Sequence, residues 1–266
     1  MDYRLRDRIA VVTGGSSGIG FAAVKLLLSE GARVALCGRD AARLDRAKDA
    51  LIETHGRDQI LAHVGDVCRA EDMKAFAAAV ERAFGGADIL INNAGQGRMS
   101  DFANTGDEAW RSELELKFFS IIHPTRAFLP LLEKGRDAAI VCTNALLAVR
   151  PEPHMIATSA ARAGALNLVK SLSKDFAPKS IRVNSILLGL VHSGQWERRF
   201  QSALADDPAL KYDDWVRELA RSRRIPLGRI GRPEEAAQAL VFLASPLASF
   251  ITGTTLDVSG GQADHV

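Results

Sequence analysis

Short β-branched or aliphatic runs alternate along this chain with longer segments whose apolar residues return every three to four positions, as at Ile19, Ala23, Leu26 and Leu27 or at Phe76, Val80 and Phe84. A period near 3.6 marks one side of a helix, whereas short apolar runs bounded by turn residues mark buried strands. The runs predict seven strands, at residues 9–13, 33–37, 60–65, 89–92, 139–142, 181–187 and 255–258. Nearly continuous apolar strands are covered on both faces. The alternation therefore predicts βαβ units winding one parallel sheet between two helical layers, an α/β/α class with right-handed crossovers. No repeat, low-complexity tract or Gly/Ser-rich linker divides the chain, so residues 1–266 are expected to form one domain. Residues 193–226 are the least regular, mixing Trp196, Phe200, Tyr212 and Trp215 with Arg198, Arg199, Arg221, Arg223 and Arg224. They follow the sixth strand at the carboxyl edge of the sheet, where open α/β folds take ligands. The segment reads as a helical lid over a pocket, with an oligomer contact or a solvated helix pair as the alternative.

The 266 residues carry 34 Lys and Arg against 32 Asp and Glu, a net charge of +2. That balance gives no field for nucleic acid or an anionic membrane, and neither is expected as a partner. No apolar run approaches the roughly 18 residues a bilayer requires. Charges within residues 1–10 interrupt any signal-like core, so a cytoplasmic location is expected. Cys37, Cys68 and Cys142 are scattered, without a C-x-x-C pair or a histidine cluster. Neither disulfides nor a metal site are expected.

Thr13-Gly14-Gly15-Ser16-Ser17-Gly18-Ile19-Gly20 follows the first strand and opens the first helix. Glycines there permit a tight turn and let backbone N–H groups and the helix N-terminus approach a pyrophosphate. Gly14, Ser16, Ser17, Gly18, Ile19 and Gly20 are thus candidate cofactor contacts. A carboxylate at the tip of the second strand suits the ribose 2′-OH of NAD, and an arginine suits the 2′-phosphate of NADP. The strand ends Leu36-Cys37-Gly38-Arg39-Asp40. Arg39 offers a planar fork for phosphate, while Asp40 reads as the N-cap of the next helix. NADP(H) is expected over NAD(H).

With these motifs the chain resembles the short-chain dehydrogenase/reductase family from Ile9 to Gly261. Besides the Thr-Gly-x-x-x-Gly-x-Gly loop, the likeness rests on Asp66-Val67, on Asn92-Asn93-Ala94-Gly95, and on two late segments, Ile225-Pro226-Leu227-Gly228-Arg229 and Gly253-Thr254-Thr255-Leu256-Asp257-Val258-Ser259-Gly260-Gly261. The resemblance implies a Rossmann-like doubly wound seven-stranded sheet. It implies adenine contacts at Asp66 and Val67, and a cofactor cleft shaped by Asn93, Ala94 and Gly95. Read alone, Asp66 caps a helix and Asn92-Asn93 makes a turn. After the sixth strand the family has Pro-Gly and then a threonine that binds the nicotinamide carboxamide. This chain has Leu188-Gly189 and Ser193, whose hydroxyl can make the same bond.

The catalytic positions depart from the family pattern of a Tyr-x-x-x-Lys pair, a serine thirteen residues earlier and an asparagine on the fourth helix. Alignment through Ser159-Ala160-Ala161 puts Thr158 at the tyrosine, Arg162 at the lysine, Ala145 at the serine and Lys117 at the asparagine. A phenol ionises near 10, and an aliphatic hydroxyl near the water value of about 15.7, a difference on the order of 8 kcal/mol. Thr158 therefore cannot replace the tyrosine as acid. Arg162 keeps a charge that can hold the cofactor ribose, but it does not readily release a proton. Lys117 sits between Leu114 and Ile121 at helical spacing, so it either snorkels to solvent or is buried near Arg162, which would depress its pKa and make it a proton donor. His154, Thr158 and Arg162 share one face if the fifth helix begins after Pro153, making His154 a second candidate acid. Gln96 and Asn144 are candidate substrate-orienting amides or plain turn residues. Tyr212, in the lid, and Tyr3 are the chain's two phenols.

Two functions follow. One is an NADP(H)-dependent oxidoreductase that moves hydride between nicotinamide and a carbonyl or hydroxyl carbon of a small molecule, through an altered proton relay. The other is a catalytically silent NADP(H)-binding sensor or scaffold. The resemblance implies a homodimer or homotetramer, with Trp110, Phe118, Phe119 and residues 250–258 as candidate contacts.

Overall fold

The computed structural model describes residues 2–263, apart from the side chains of Gln195 and Arg198. Residues 1 and 264–266 of the expected domain, and the side chain of Arg198 in the expected lid, lie outside the described residues. In chain order the main elements are β1 (Ile9–Thr13), α1 (Gly18–Ser29), β2 (Arg33–Gly38), α2 (Ala41–His55), β3 (Ile60–Val64), α3 (Ala70–Phe84), β4 (Ile89–Asn92), α4 (Asp107–Leu132), β5 (Ala139–Ala145), α5 (Ile156–Phe176), β6 (Arg182–Leu188), α6 (Gly194–Asp206), α7 (Tyr212–Ser222), α8 (Pro233–Ala244) and β7 (Thr255–Val258). The strands form one parallel seven-stranded sheet in the order β3-β2-β1-β4-β5-β6-β7. The chain winds outward one way from β1 and then the other way from β4. The loops leaving β1 and β4 therefore diverge, opening a crevice at the carboxyl edge.

Alternate residues of each strand serve the two faces. On one side Val12, Val34, Leu36 and Ile91 pack with Leu27 of α1 and Leu240 and Val241 of α8. On the other, Val11, Ala35, Leu90 and Val183 pack with Phe76 of α3, Phe128 of α4 and Val169 of α5. Both faces being covered explains why the strands read as apolar runs rather than as alternation. Cys37 and Cys142 are buried and Cys68 half-buried, all as free thiols. Among the described residues, no helix is long and apolar enough to cross a membrane and no cluster of ligating side chains suits a metal ion.

Residues 193–226 form the helix pair α6 and α7 at the carboxyl edge. Trp196, Phe200, Tyr212 and Trp215 interlock there, with ring centroids 4.9–6.3 Å apart. Val216, Ala220, Ile225 and Ile230 add a small core of their own. The pair is tied to the loop after β6 where the Tyr212 hydroxyl meets His192 Nδ1 at 2.7 Å.

Candidate active site

The turn after β1 is fastened to the turn after β4. Thr13 Oγ1 accepts from the backbone N–H groups of Asn93 and Ala94, at 3.0 and 3.1 Å, and the Asn93 amide donates to the carbonyls of Thr13 and Gly14. Close approach leaves no room for side chains. A Cβ on Gly14 would lie 2.9 Å from Ala94 Cα, and one on Gly20 would lie 2.2 Å from the Gly14 carbonyl oxygen. We expect Gly20→Ala to force these backbones apart and to lower stability by about 1–3 kcal/mol, read as a fall in the urea midpoint.

Between these turns lies a cavity of about 620 Å³, within the range of small-molecule sites. Gly14, Ser16, Ser17 and Ile19 line it at α1, as do Arg39 at β2, Asp66 and Val67 after β3, and Asn93, Ala94, Gly95 and Gln96 after β4. Lys117, Asn144, Arg162 and Ser193 line its other end. Gly18 and Gly20 lie beneath the lining. Gly18 supplies the left-handed turn at φ 54°, and Gly20 the close packing just described. Gly189 faces a neighbouring cavity instead, where a Cβ would press on Ser259.

The cradle fits a dinucleotide. Ser17, the N-cap of α1, makes no side-chain cap bond, so the first-turn N–H groups point at the glycine loop free of a side-chain acceptor. Asp40 caps α2 by accepting from Arg43 N–H at 2.9 Å. Asp66 accepts from Cys68 N–H at 2.9 Å, turning the chain toward α3, and reaches Arg39 at 3.7 Å.

At the far end, Lys117 is held by an acid that the sequence pattern does not single out, with the Arg162 charge nearby. Lys117 and Glu113, one turn apart on α4, are both buried, and Lys117 Nζ donates to Glu113 Oε2 at 3.0 Å. The Thr158 hydroxyl lies 2.6 Å from the same oxygen and also accepts from Arg98 N–H at 3.1 Å. Burial lowers the Lys117 pKa, and the nearby Arg162 charge lowers it further, against the pull of Glu113. Burial likewise pushes Arg162 down to about 10, still charged at neutral pH. Arg162 Nη1 donates to Asn144 Oδ1 at 3.3 Å, and the Asn144 amide donates to the Arg162 carbonyl at 3.1 Å. Among the described residues, Arg162 Nε is buried without a partner. That orphaned donor, on a residue lining the cavity, suits a hydroxyl-rich ligand such as a cofactor ribose.

Several expectations change. Thr158 is sealed from both cavities and serves Glu113, so it touches no reacting group. His154 does not share a helical face with it. Ser100 N–H donates to the His154 carbonyl and Ile156 N–H to the Ser100 carbonyl, holding this stretch as a bridge, so α5 starts only at Ile156. His154 instead pairs with Glu152 at 3.0 Å, at the neighbouring cavity. Asn144 is committed to Arg162, acting as its positioning residue. Leu114 turns outward at 43 % exposure. The buried face of α4 thus begins with the Glu113–Lys117 pair and turns apolar only at Ile121.

Residues 14–263 match the family model described as enoyl-(acyl carrier protein) reductase. A short-chain oxidoreductase from Pseudomonas aeruginosa PAO1, solved with NADPH and described as containing an atypical catalytic center, is 57 % identical. It superposes at a TM-score of 0.93, over 98 % of this chain and 100 % of that one. L-sorbose reductase from Gluconobacter frateurii, solved with NADPH and L-sorbose, is 31 % identical at a TM-score of 0.94, covering 100 % of both chains. The 3-oxoacyl-(acyl-carrier-protein) reductase of Chlamydia trachomatis is 34 % identical, over 99 % of this chain and 100 % of its own length. Full-length likeness to oxidoreductases, on a sheet whose crevice carries the glycine cradle, means that the chain belongs to the short-chain dehydrogenase/reductase family.

Proposed function

We propose that this protein is an NADP(H)-dependent oxidoreductase that interconverts a carbonyl and an alcohol, with Lys117 in place of the family's tyrosine as the proton-transfer group. The observation that carries the reading is the buried Glu113–Lys117 pair opening, beside Arg162, onto the far end of the cofactor cavity. Drift after loss of function would leave small neutral residues there, because an unpaired buried charge is strongly destabilising.

Gly14, Ser16, Ser17 and the first turn of α1 would hold the pyrophosphate, Asp66 and Val67 the adenine, Arg162 the nicotinamide ribose and Ser193 the carboxamide. When bound, the nicotinamide supplies or accepts the hydride. In reduction an N–H bond of the Lys117 ammonium breaks as the substrate oxygen gains its proton, leaving an amine that solvent re-protonates. In oxidation the amine takes that proton. The lowered pKa brings Lys117 toward the range in which proton transfer is efficient at neutral pH. Arg162 keeps its proton and offsets negative charge growing on the oxygen. Glu113 holds the Lys117 side chain in one rotamer, Thr158 holds Glu113, and Gln96 is available to orient the carbonyl.

The preference for NADP(H) is supported by Arg39 at the tip of β2 and by the helix-capping role of Asp40, whose Oδ1 accepts from Arg43 N–H. Arg39→Ala should weaken NADPH about 10- to 100-fold, the range of a charged hydrogen bond, and leave NADH unchanged. Titration calorimetry with both cofactors checks this. A homodimer or homotetramer is supported by outward-facing Leu114, Phe119, Phe250 and Leu256, and light scattering that gives a monomer mass would remove it. Phe118, also an expected contact, is half-buried with its ring beside Gly164 of α5.

Thermal protection by NADP(H), followed by a carbonyl and alcohol panel read at the nicotinamide absorbance, tests the main reading. Protection with turnover supports the oxidoreductase. Protection without turnover on any substrate makes the protein a cofactor-binding sensor or scaffold.

A further inference from the structure

Lys117 is buried, yet it lines the cofactor cavity together with Ser120 and Ile121 of the same helix and Ala165 and Val169 of α5. Little around it favours a charge. Among the described residues Glu113 is the only carboxylate within ion-pair distance, while burial and the nearby Arg162 both disfavour the ammonium. Desolvation and a neighbouring cation are the conditions that turn a lysine into a nucleophile. An exposed lysine with a pKa near 10.4 holds about one amine in 2,500 at pH 7, and a pKa lower by one gives about tenfold more.

The other parts needed for addition to a carbonyl lie around the amine. Glu113 Oε2 is 3.0 Å from Lys117 Nζ and is fixed by the Thr158 hydroxyl at 2.6 Å, so it can take a proton from the nitrogen and pass it to an oxygen on the adjoining carbon. Arg162, lining the same end of the cavity, offsets negative charge on that oxygen. We propose that Lys117 is also a covalent carbonyl site, whose amine captures aldehydes from the cavity as a reversible imine. The nitrogen lone pair attacks the carbonyl carbon, and the C=O π electrons move to oxygen. Two of the three ammonium protons pass through Glu113 to that oxygen, the C–O bond breaks, and water leaves. The third proton stays on nitrogen. Ammonium and aldehyde thus become a protonated imine and one water, with charge conserved and nothing oxidised or reduced. No hydride takes part, so the capture does not rest on the oxidoreductase reading.

Propanal with cyanoborohydride, which reduces protonated imines to secondary amines, fixes the adduct as an N-propyl lysine that peptide mass mapping locates. In the native protein at pH 7, Lys117 should be labelled at least tenfold faster than the exposed Lys25 and Lys174. Removing propanal before the reductant is added should prevent the labelling. Lys117→Arg should lack the fast phase and keep the slow labelling of Lys25 and Lys174, and the native map decides alone if that variant does not fold. Lys117 labelled no faster than the exposed lysines, or a fast phase that survives in Lys117→Arg, overturns the proposal. Fast labelling of Lys117 in a protein that turns over no carbonyl or alcohol upholds the covalent site and overturns the oxidoreductase reading; turnover with slow labelling of Lys117 does the reverse.

Discussion

Lys117→Met should lower carbonyl reduction by about a hundred- to ten-thousandfold, the contribution of a positioned general acid, while NADPH affinity stays near its native value. Methionine keeps the length and apolar stem of the side chain and removes only the ammonium. Arg162 and Asn144 keep their mutual bonds, so the cofactor end of the cleft is undisturbed. The substitution leaves Glu113 buried with only the Thr158 hydroxyl for support. Stability should therefore fall as well, and the double variant Lys117→Met with Glu113→Gln should recover it without recovering activity. Steady-state rates, cofactor titration and urea midpoints of the three proteins check these outcomes. A double variant that regained both would make Lys117 a structural residue.

Removal of the acid should have the largest effect on stability. Glu113→Ala leaves the Lys117 ammonium buried without its partner carboxylate, and breaking such a pair costs about 3–5 kcal/mol. The pH behaviour carries the more specific signature. Lys117 titrates below its ordinary 10.5 in the native protein. The unfolded chain thus binds this proton more tightly, and native stability rises with pH between the lowered value and 10.5. Glu113 is the group that holds the Lys117 pKa up, so in Glu113→Gln the alkaline loss of reductase activity should move to lower pH. A residue that only supported the fold would lower the urea midpoint without moving that limb.

Most of the sheet was legible because both of its faces are covered and burial writes itself into apolar runs. β1, β4 and β7 fall at the predicted residues. β5 extends past Cys142 through Thr143, Asn144 and Ala145, which carry no strand signal of their own and are drawn in by pairing with Ile186, Leu187 and Leu188 of β6. The start of α5 was misplaced for a related reason: the Ser100–Met155 bridge is a tertiary contact that local sequence does not announce. Of the site, the glycine cradle was legible because backbone geometry restricts residue choice there. Lys117 was visible as a charge at an otherwise buried helical position. Glu113 was not, because an acid four residues before a lysine reads as a surface helix pair. Only its place on the same face as Ile121 hinted that the pair is buried.

The pH dependence of carbonyl reduction in native protein and in Lys117→Arg bears most directly on the claim that Lys117 delivers the proton. Arginine keeps the positive charge and does not readily release a proton. Native protein should lose activity as pH rises along a limb centred below 10.5, and the arginine variant should retain cofactor binding, turn over at least a hundredfold more slowly and lack that limb. An arginine variant with the native rate and the same limb would contradict the account.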